Sequence, residues 1–330
     1  MKKIIALLAI LATSICTYAQ DVEKLIDQKD VARIIQTLAA DDMQGRGTFT
    51  PGIEKAAQFI EGEFKSIGLK PLEGNPGFRQ VVDPKALGPL PTRGNMAEKL
   101  TNNSLFNVVG VLPGKTKPNE FVIFSGHYDH LGIVKNVIES DSIANGADDD
   151  ASGTTAVITL AKYFKKLDNN ARTLIFVAFT AEEIGGYGAR YFSKMVDPNK
   201  TVAMFNIEMI GKASKFGENS AFITGFERSD FGTILQKNLE GTAFKFHPDP
   251  YPEQQLFFRS DNAALAMLGV PAHTISTDQI DIDKLYHTVK DEFSSLDVKN
   301  ITATIKAIAL SSRGIVAGTE TPTRVTNMAR

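Results

Sequence analysis

"TLIFVAF", residues 173–179, runs apolar from Leu174 to Phe179 with no polar interruption. A strand with one face in water alternates apolar and polar residues, because successive side chains point to opposite faces. A strand that does not alternate is covered on both faces, as in a parallel sheet sandwiched between helices. Residues 173–179 therefore read as a central strand. Within four residues of its end come two adjacent acids, Glu182 and Glu183.

Moving outward, 106–112, 121–124, 202–205 and 272–277 read as further strands. The first two flank the turn-rich "PGKTKPNE" and read as antiparallel neighbours. Helices are expected at 51–67, 152–167 and about 298–318. Thr50 and Pro51 open the first, Ile53, Ala57, Ile60, Phe64 and Ile67 give its apolar stripe, and Gly68 closes it. Ser152 reads as the cap of the second. Residues 83–95, rich in Pro and Gly, read as a loop. Strands alternating with helices imply an α/β fold: a three-layer α/β/α sandwich around a mixed, mostly parallel central sheet.

With 330 residues the chain is long enough for a sizeable core, and no internal boundary is evident after residue 20. Lys and Arg total 36 against 38 Asp and Glu, which gives no electrostatic reason to bind nucleic acid or an anionic membrane. Lys2 and Lys3, the apolar stretch Ile4–Ala12 and the small residues around Ala19 have the order of a secretory signal, expected to span 1–19. That stretch is short for a membrane span. A lipid anchor on Cys16 is the weaker alternative, since bulky Ile15 precedes it. Cys16 is the only cysteine, so cleavage would leave no thiol for a disulfide or a nucleophile. The expected compartment is periplasmic or extracellular, and the remainder, 20–330, is expected to be one catalytic domain.

Ligands of open α/β sheets bind beyond the carboxyl ends of the strands. His127 and Asp129 come after 121–124; Glu182 and Glu183 after 173–179; Glu208 after 202–205; and His287 lies on the loop after 272–277. "GADDDASG" (146–153) precedes the second helix. Taken singly, such residues suit solvated turns, helix caps or core histidines. Together they place nitrogen and oxygen donors, without sulfur, after most strands. Zinc accepts that set, and two histidines with several carboxylates suit two metals bridged by a shared carboxylate, about 3.5–4 Å apart.

The blocks "SGHYDHLG", "GADDDASGTTA", "FTAEEIGGYGA", "FNIEMIG", "FFRSDN" and "YHTVKD" stand in an order that resembles zinc-dependent exopeptidases of the bacterial leucine aminopeptidase type, in metallopeptidase clan MH. "DDMQGRGTFTPG" upstream is similar too, so the resemblance covers roughly residues 40–310. It implies two Zn2+ ions, one held by His127 and Glu208, the other by Glu183 and His287, with Asp149 bridging. It also implies a cis peptide between Asp149 and Asp150, Asp129 orienting the His127 ring, and Asp291 and Ser260–Asp261 in support. Glu182 would be the general base towards a metal-bridged water, and Tyr286 would donate to the oxyanion. The implied substrates are peptides with a free amino terminus.

The family usually has Asp where this chain has Glu208, so that metal is expected to bind more weakly. His130 reads as a hydrogen-bonded loop residue, and His247 and His273 as structural. Phe257, Phe258, Met209 and Ile210 are candidates for a side-chain pocket, with core packing the alternative. Glutaminyl cyclases share this fold and use one zinc, which makes a cyclase the first rival. A non-catalytic binding module is the second.

Overall fold

The computed structural model describes residues 21–89, 94–326 and 328. The expected signal segment, 1–19, lies outside the described residues. The strands are β1 (Lys70–Pro71), β2 (Arg79–Val82), β3 (Leu105–Leu112), β4 (Lys117–His127), β5 (Gly132–Ile138), β6 (Asp141–Ala144), β7 (Arg172–Phe179), β8 (Thr201–Ile207), β9 (Ser220–Ile223), β10 (Lys245–Pro248) and β11 (Ala272–Ser276). The main sheet runs β1-β3-β7-β4-β8-β11-β9-β10, with β2 also on β3 and a separate β5-β6 pair. Its centre, β7-β4-β8-β11, is parallel throughout. Antiparallel pairings of β3 with β7 and of β11 with β9 flank it.

One expectation is overturned here. β3 and β4 are not neighbours: β7 lies between them, antiparallel to β3 and parallel to β4. The short link from β3 to β4 looks like a hairpin in sequence. β7, however, is buried at every position and takes the place that covers it on both edges.

Alternation on the inner strands sends side chains to two separate cores. Val122, Phe124, Leu174, Phe176 and Ala178 join the larger one, with helices α1 (Gln28–Leu38), α2 (Pro51–Ile67), α3 (Gly153–Leu167) and α5 (Val298–Ser311). Ile123, Ile175, Val177 and Phe179 face the smaller one, against α4 (Tyr187–Met195) and residues 262–272. This is the helix–sheet–helix layering expected of a non-alternating central strand.

α2 begins at Pro51, but the Thr50 hydroxyl donates to the Gly47 carbonyl rather than capping the helix. Ser152 is helical itself and makes no cap; its hydroxyl donates to the Asp148 carbonyl. The closing helix stops at Ser311, and a short turn of helix, Arg313–Val316, comes after it. No helix among the described residues is long and apolar enough to cross a membrane.

Candidate metal centre

The four parallel strands β4, β7, β8 and β11 deliver their carboxyl ends to one edge, and the predicted donors collect there. His127 is the last residue of β4, Glu208 comes directly after β8, and Glu182 and Glu183 lie three and four residues beyond β7. Two groups of donor atoms lie within 4.8 Å of one another: His127, Asp149 and Glu208, and His130, Asp149 and Glu183. Asp149 belongs to both. His127 Nε2 stands 3.2 Å from Asp149 Oδ1, and His287 Nε2 stands 3.1 Å from Asp149 Oδ2 and 3.2 Å from Glu183 Oε2.

His127 Nε2 is buried and has no hydrogen-bond partner despite that 3.2 Å contact. A buried polar atom is normally paired. With Asp149 and Glu208 donor atoms within 4.8 Å, a shared cation would supply the missing partner. The donor set, two or three imidazoles with three carboxylates, fits zinc.

Supporting residues hold these groups through the backbone. Asp291 accepts from the Asp148 and Asp149 amides at 2.9 and 3.0 Å. The peptide between Asp149 and Asp150 is cis. Asp129 acts differently from the expectation. The His127 ring, through Nδ1, meets the Asp129 backbone carbonyl at 3.0 Å, while the nearer carboxylate oxygen is 3.9 Å away. The Asp129 carboxylate instead accepts from the Glu182 and Glu183 amides and from Thr48. It therefore clamps the base and a ligand together.

His130 meets Glu183 Oε1 at 2.8 Å through Nδ1, and that nitrogen is 3.6 Å from Asp149 Oδ2. The sequence reading assigned it no metal, yet it stands in one donor group with Asp149 and Glu183. Its ring lies against Gly146, where an added Cβ would come within 2.5 Å of it. Ser260 donates to Glu208 Oε2 and accepts from Asn206. Asp261 is buried with neither carboxylate oxygen hydrogen-bonded. Tyr286 stacks on His287 at 3.9 Å.

Two supports escaped the sequence reading. Arg46 is fully buried and donates to the carbonyls of Leu38, Tyr128, Asn145 and Gly146, fixing the chain before Asp149. Asp150 accepts from the amides of His127, Gly153 and Met209 and so ties β4, α3 and the exit of β8 together. Gly153 is needed at that knot, since an added Cβ would lie 2.0 Å from the Ile207 carbonyl oxygen. The acidic run and "GRG" were the available signals, but a charged residue whose partners are backbone groups leaves no side-chain pattern. His247 stacks on Phe216, and His273 bonds Thr224 and Ser229; neither joins the cluster.

Electrostatics separate the carboxylates. Burial alone would raise Asp149, but the surrounding imidazoles of His130, His127 and His287 overcome it and hold its carboxyl well below the usual range. Burial pushes Glu182 well above its ordinary value; His127 opposes this, and the charges of Glu208, Asp261 and Glu183 add to it. Burial and its neighbours thus push the two carboxyls in opposite directions.

A cavity of about 70 Å³ adjoins the donors, lined on that side by Asp149, Glu182, Glu208 and His287. Of the four expected pocket residues only Met209 lines it; Phe257 and Ile210 are buried in core clusters and Phe258 packs against one. Phe222, Leu256 and Ile280 supply the other apolar walls.

A probable zinc metalloprotease of Leptosphaeria maculans is 34% identical over 110 residues, covering 33% of this chain and 25% of that protein. The chain thus spans about a quarter of the length of that relative, and about half that of a fungal leucine aminopeptidase. A zinc aminopeptidase from Bacillus subtilis superposes with a TM-score of 0.67 at 14% identity over 89% of this chain and 97% of its own. A glutaminyl cyclase from Porphyromonas gingivalis superposes with 0.65 at 13% over 88% and 99%. At such identities the likeness shows the fold alone and does not separate the two activities. The profile of peptidase family M28 matches residues 107–311, the segment that carries every proposed ligand, and the chain belongs to that family.

Proposed function

We propose that the chain is a zinc-dependent aminopeptidase that removes amino-terminal residues from peptides. One observation carries this reading: both oxygens of Asp149 face an imidazole, His127 on one side and His287 on the other. A carboxylate flanked on both sides can serve two metals, whereas a cyclase uses one; the "HYD" around His127 is common to both, so the number of bound metals separates the two readings.

His127 and Glu208 would hold one ion, Glu183 and His287 the other, with Asp149 between. Bound zinc would supply acidification of the attacking water and polarisation of the scissile carbonyl. Glu182, raised by burial and held by Asp129, takes the proton of that water and returns it to the leaving amine. Tyr286, in the cavity wall beside His287, donates to the developing oxyanion. The reading includes export, since residues 1–19 have the order of a secretory signal.

The test is zinc content together with turnover of aminoacyl-anilides, with and without an amino-terminal acetyl group. Two zinc ions per chain and hydrolysis that requires the free amine are expected. One zinc, with pyroglutamate released from glutaminyl substrates, would select the cyclase instead.

A further inference from the structure

Glu183 and Glu208 are the carboxylate ligands of the proposed centre that do not bridge, and each meets one further side chain from behind. The Ser260 hydroxyl donates to Glu208 Oε2. His130 meets Glu183 Oε1 at 2.8 Å through Nδ1, while His287 Nε2 stands 3.2 Å from the other oxygen, Oε2. An ionised carboxylate oxygen only accepts, so the hydrogen of this bond lies on His130 Nδ1. A ring nitrogen that carries a hydrogen has no lone pair to offer a metal.

The distances separate two kinds of neighbour. Donors held about 2.0–2.1 Å from one tetrahedral zinc stand about 3.3 Å apart. His287 Nε2 fits that spacing, at 3.1 Å from Asp149 Oδ2 and 3.2 Å from Glu183 Oε2. His130 Nδ1 lies closer to Glu183 than that, at an ordinary hydrogen-bond length, and at 3.6 Å it is out of hydrogen-bond reach of Asp149 Oδ2. The ring has little room to turn. It is 1% exposed, and Gly146 packs so near that an added Cβ would come within 2.5 Å of it. Its backbone amide donates to the Arg46 carbonyl at 3.2 Å. The other ring nitrogen, Nε2, is buried without a hydrogen-bond partner, so among the described residues the ring bonds Glu183 alone.

The consequence is a count of ligands. A catalytic zinc keeps three protein ligands and an open position, and a fourth protein ligand closes the site. With Oε1 engaged by His130, Glu183 offers one oxygen, and its ion has Asp149, Glu183 and His287. With Oε1 released, the carboxylate could close on the ion with both oxygens and fill the open position. We propose that His130 is a positioning residue that holds Glu183 to single-oxygen ligation and so keeps the ion at Glu183 and His287 open to substrate. The proposal rests on the zinc-binding part of the function proposed above and holds for peptidase and cyclase alike.

The experiment compares zinc-loaded crystal structures of the wild type, His130→Leu and His130→Asn. In the wild type one Glu183 oxygen is expected at about 2.0–2.2 Å from zinc, with the other on His130. In His130→Leu, which keeps apolar bulk without a donor, both oxygens should reach the ion. Cobalt in place of zinc reports the same change in solution: its visible absorption weakens as the coordination number rises. His130→Asn, whose amide donates from about the place of Nδ1, should restore the wild-type spectrum. Turnover should fall by about 10–100-fold in the leucine variant and recover in the asparagine one. A wild-type Glu183 bound through both oxygens, or a His130 nitrogen about 2.0–2.1 Å from zinc, would overturn the proposal whether or not the leucine variant folds. So would a leucine variant that keeps single-oxygen ligation or loses its zinc, or an asparagine variant that restores nothing. Zinc on Glu183 with none at His127 and Glu208 would instead sink the two-metal aminopeptidase reading, while the same distances would still judge His130.

Discussion

The two halves of the donor cluster are built from different parts of the fold. His127 ends β4, Glu208 comes just after β8, and the two strands are hydrogen-bonded neighbours. Glu183 and His287 stand on loops, where Ala181, Gly185, Gly186 and His287 itself have positive φ. The His127 side chain is 2% exposed and that of His287 37%. A sheet fixes its strand ends through its own ladder. A loop needs clamps, and here these are the carboxylates of Asp129 and Asp291. Rigidity in one half is thus inherited from the sheet, and in the other it comes from two acids that accept from backbone amides.

The largest effect should come from the residue both halves share. Asp149→Ala is expected to lose both zinc ions and all measurable turnover. Two zinc ions retained in that variant, by metal analysis, would end the bridging role. Next is Glu182→Gln, which keeps the shape but cannot accept a proton. A loss of about 10²–10⁴-fold in kcat with two zinc ions still bound is expected, and near-normal turnover would show that Glu182 is not the base.

Asp129→Asn probes the loop half alone. The amide would present a donor to the Glu182 or Glu183 N–H, loosening the segment that carries base and ligand together. Partners behind a metal ligand typically matter by about 10–100-fold. We expect a loss of that order in affinity for the ion at Glu183 and His287, with the His127–Glu208 ion little changed. Equal weakening of both ions, in a competition with a chromophoric chelator, would show that the halves are not separately supported.

The strand half was also the legible one. Residues 121–124, 173–179 and 202–205 announce themselves by continuous apolarity, so the residues just beyond each of them must stand at the sheet edge. The neighbour relation of β3 and β4 was misread because pairing is decided by which strand must be buried deepest, which a local pattern does not encode. Arg46, Asp150 and the carboxylate of Asp129 were hidden for another reason: their partners are backbone groups, present at every residue.

The smallest expected effect tests the one position where this chain departs from the pattern of the family it resembles. Glu208 is a methylene longer than aspartate and has one more torsion to fix. The Ser260 hydroxyl, itself held by Asn206, donates to Oε2 and leaves Oε1 for a metal. The other half has an extra imidazole, His130, beside Glu183. A chelator should therefore remove the His127–Glu208 ion first. Ser260→Ala removes the hydrogen bond that selects the Glu208 rotamer, a loss of about 1 kcal/mol, or about fivefold in affinity. Only the first, weaker step of zinc release should shift in a chelator titration. Were the tighter step to move instead, Ser260 would be acting on the loop half, and the ligands would not divide into sheet-held and clamp-held sets.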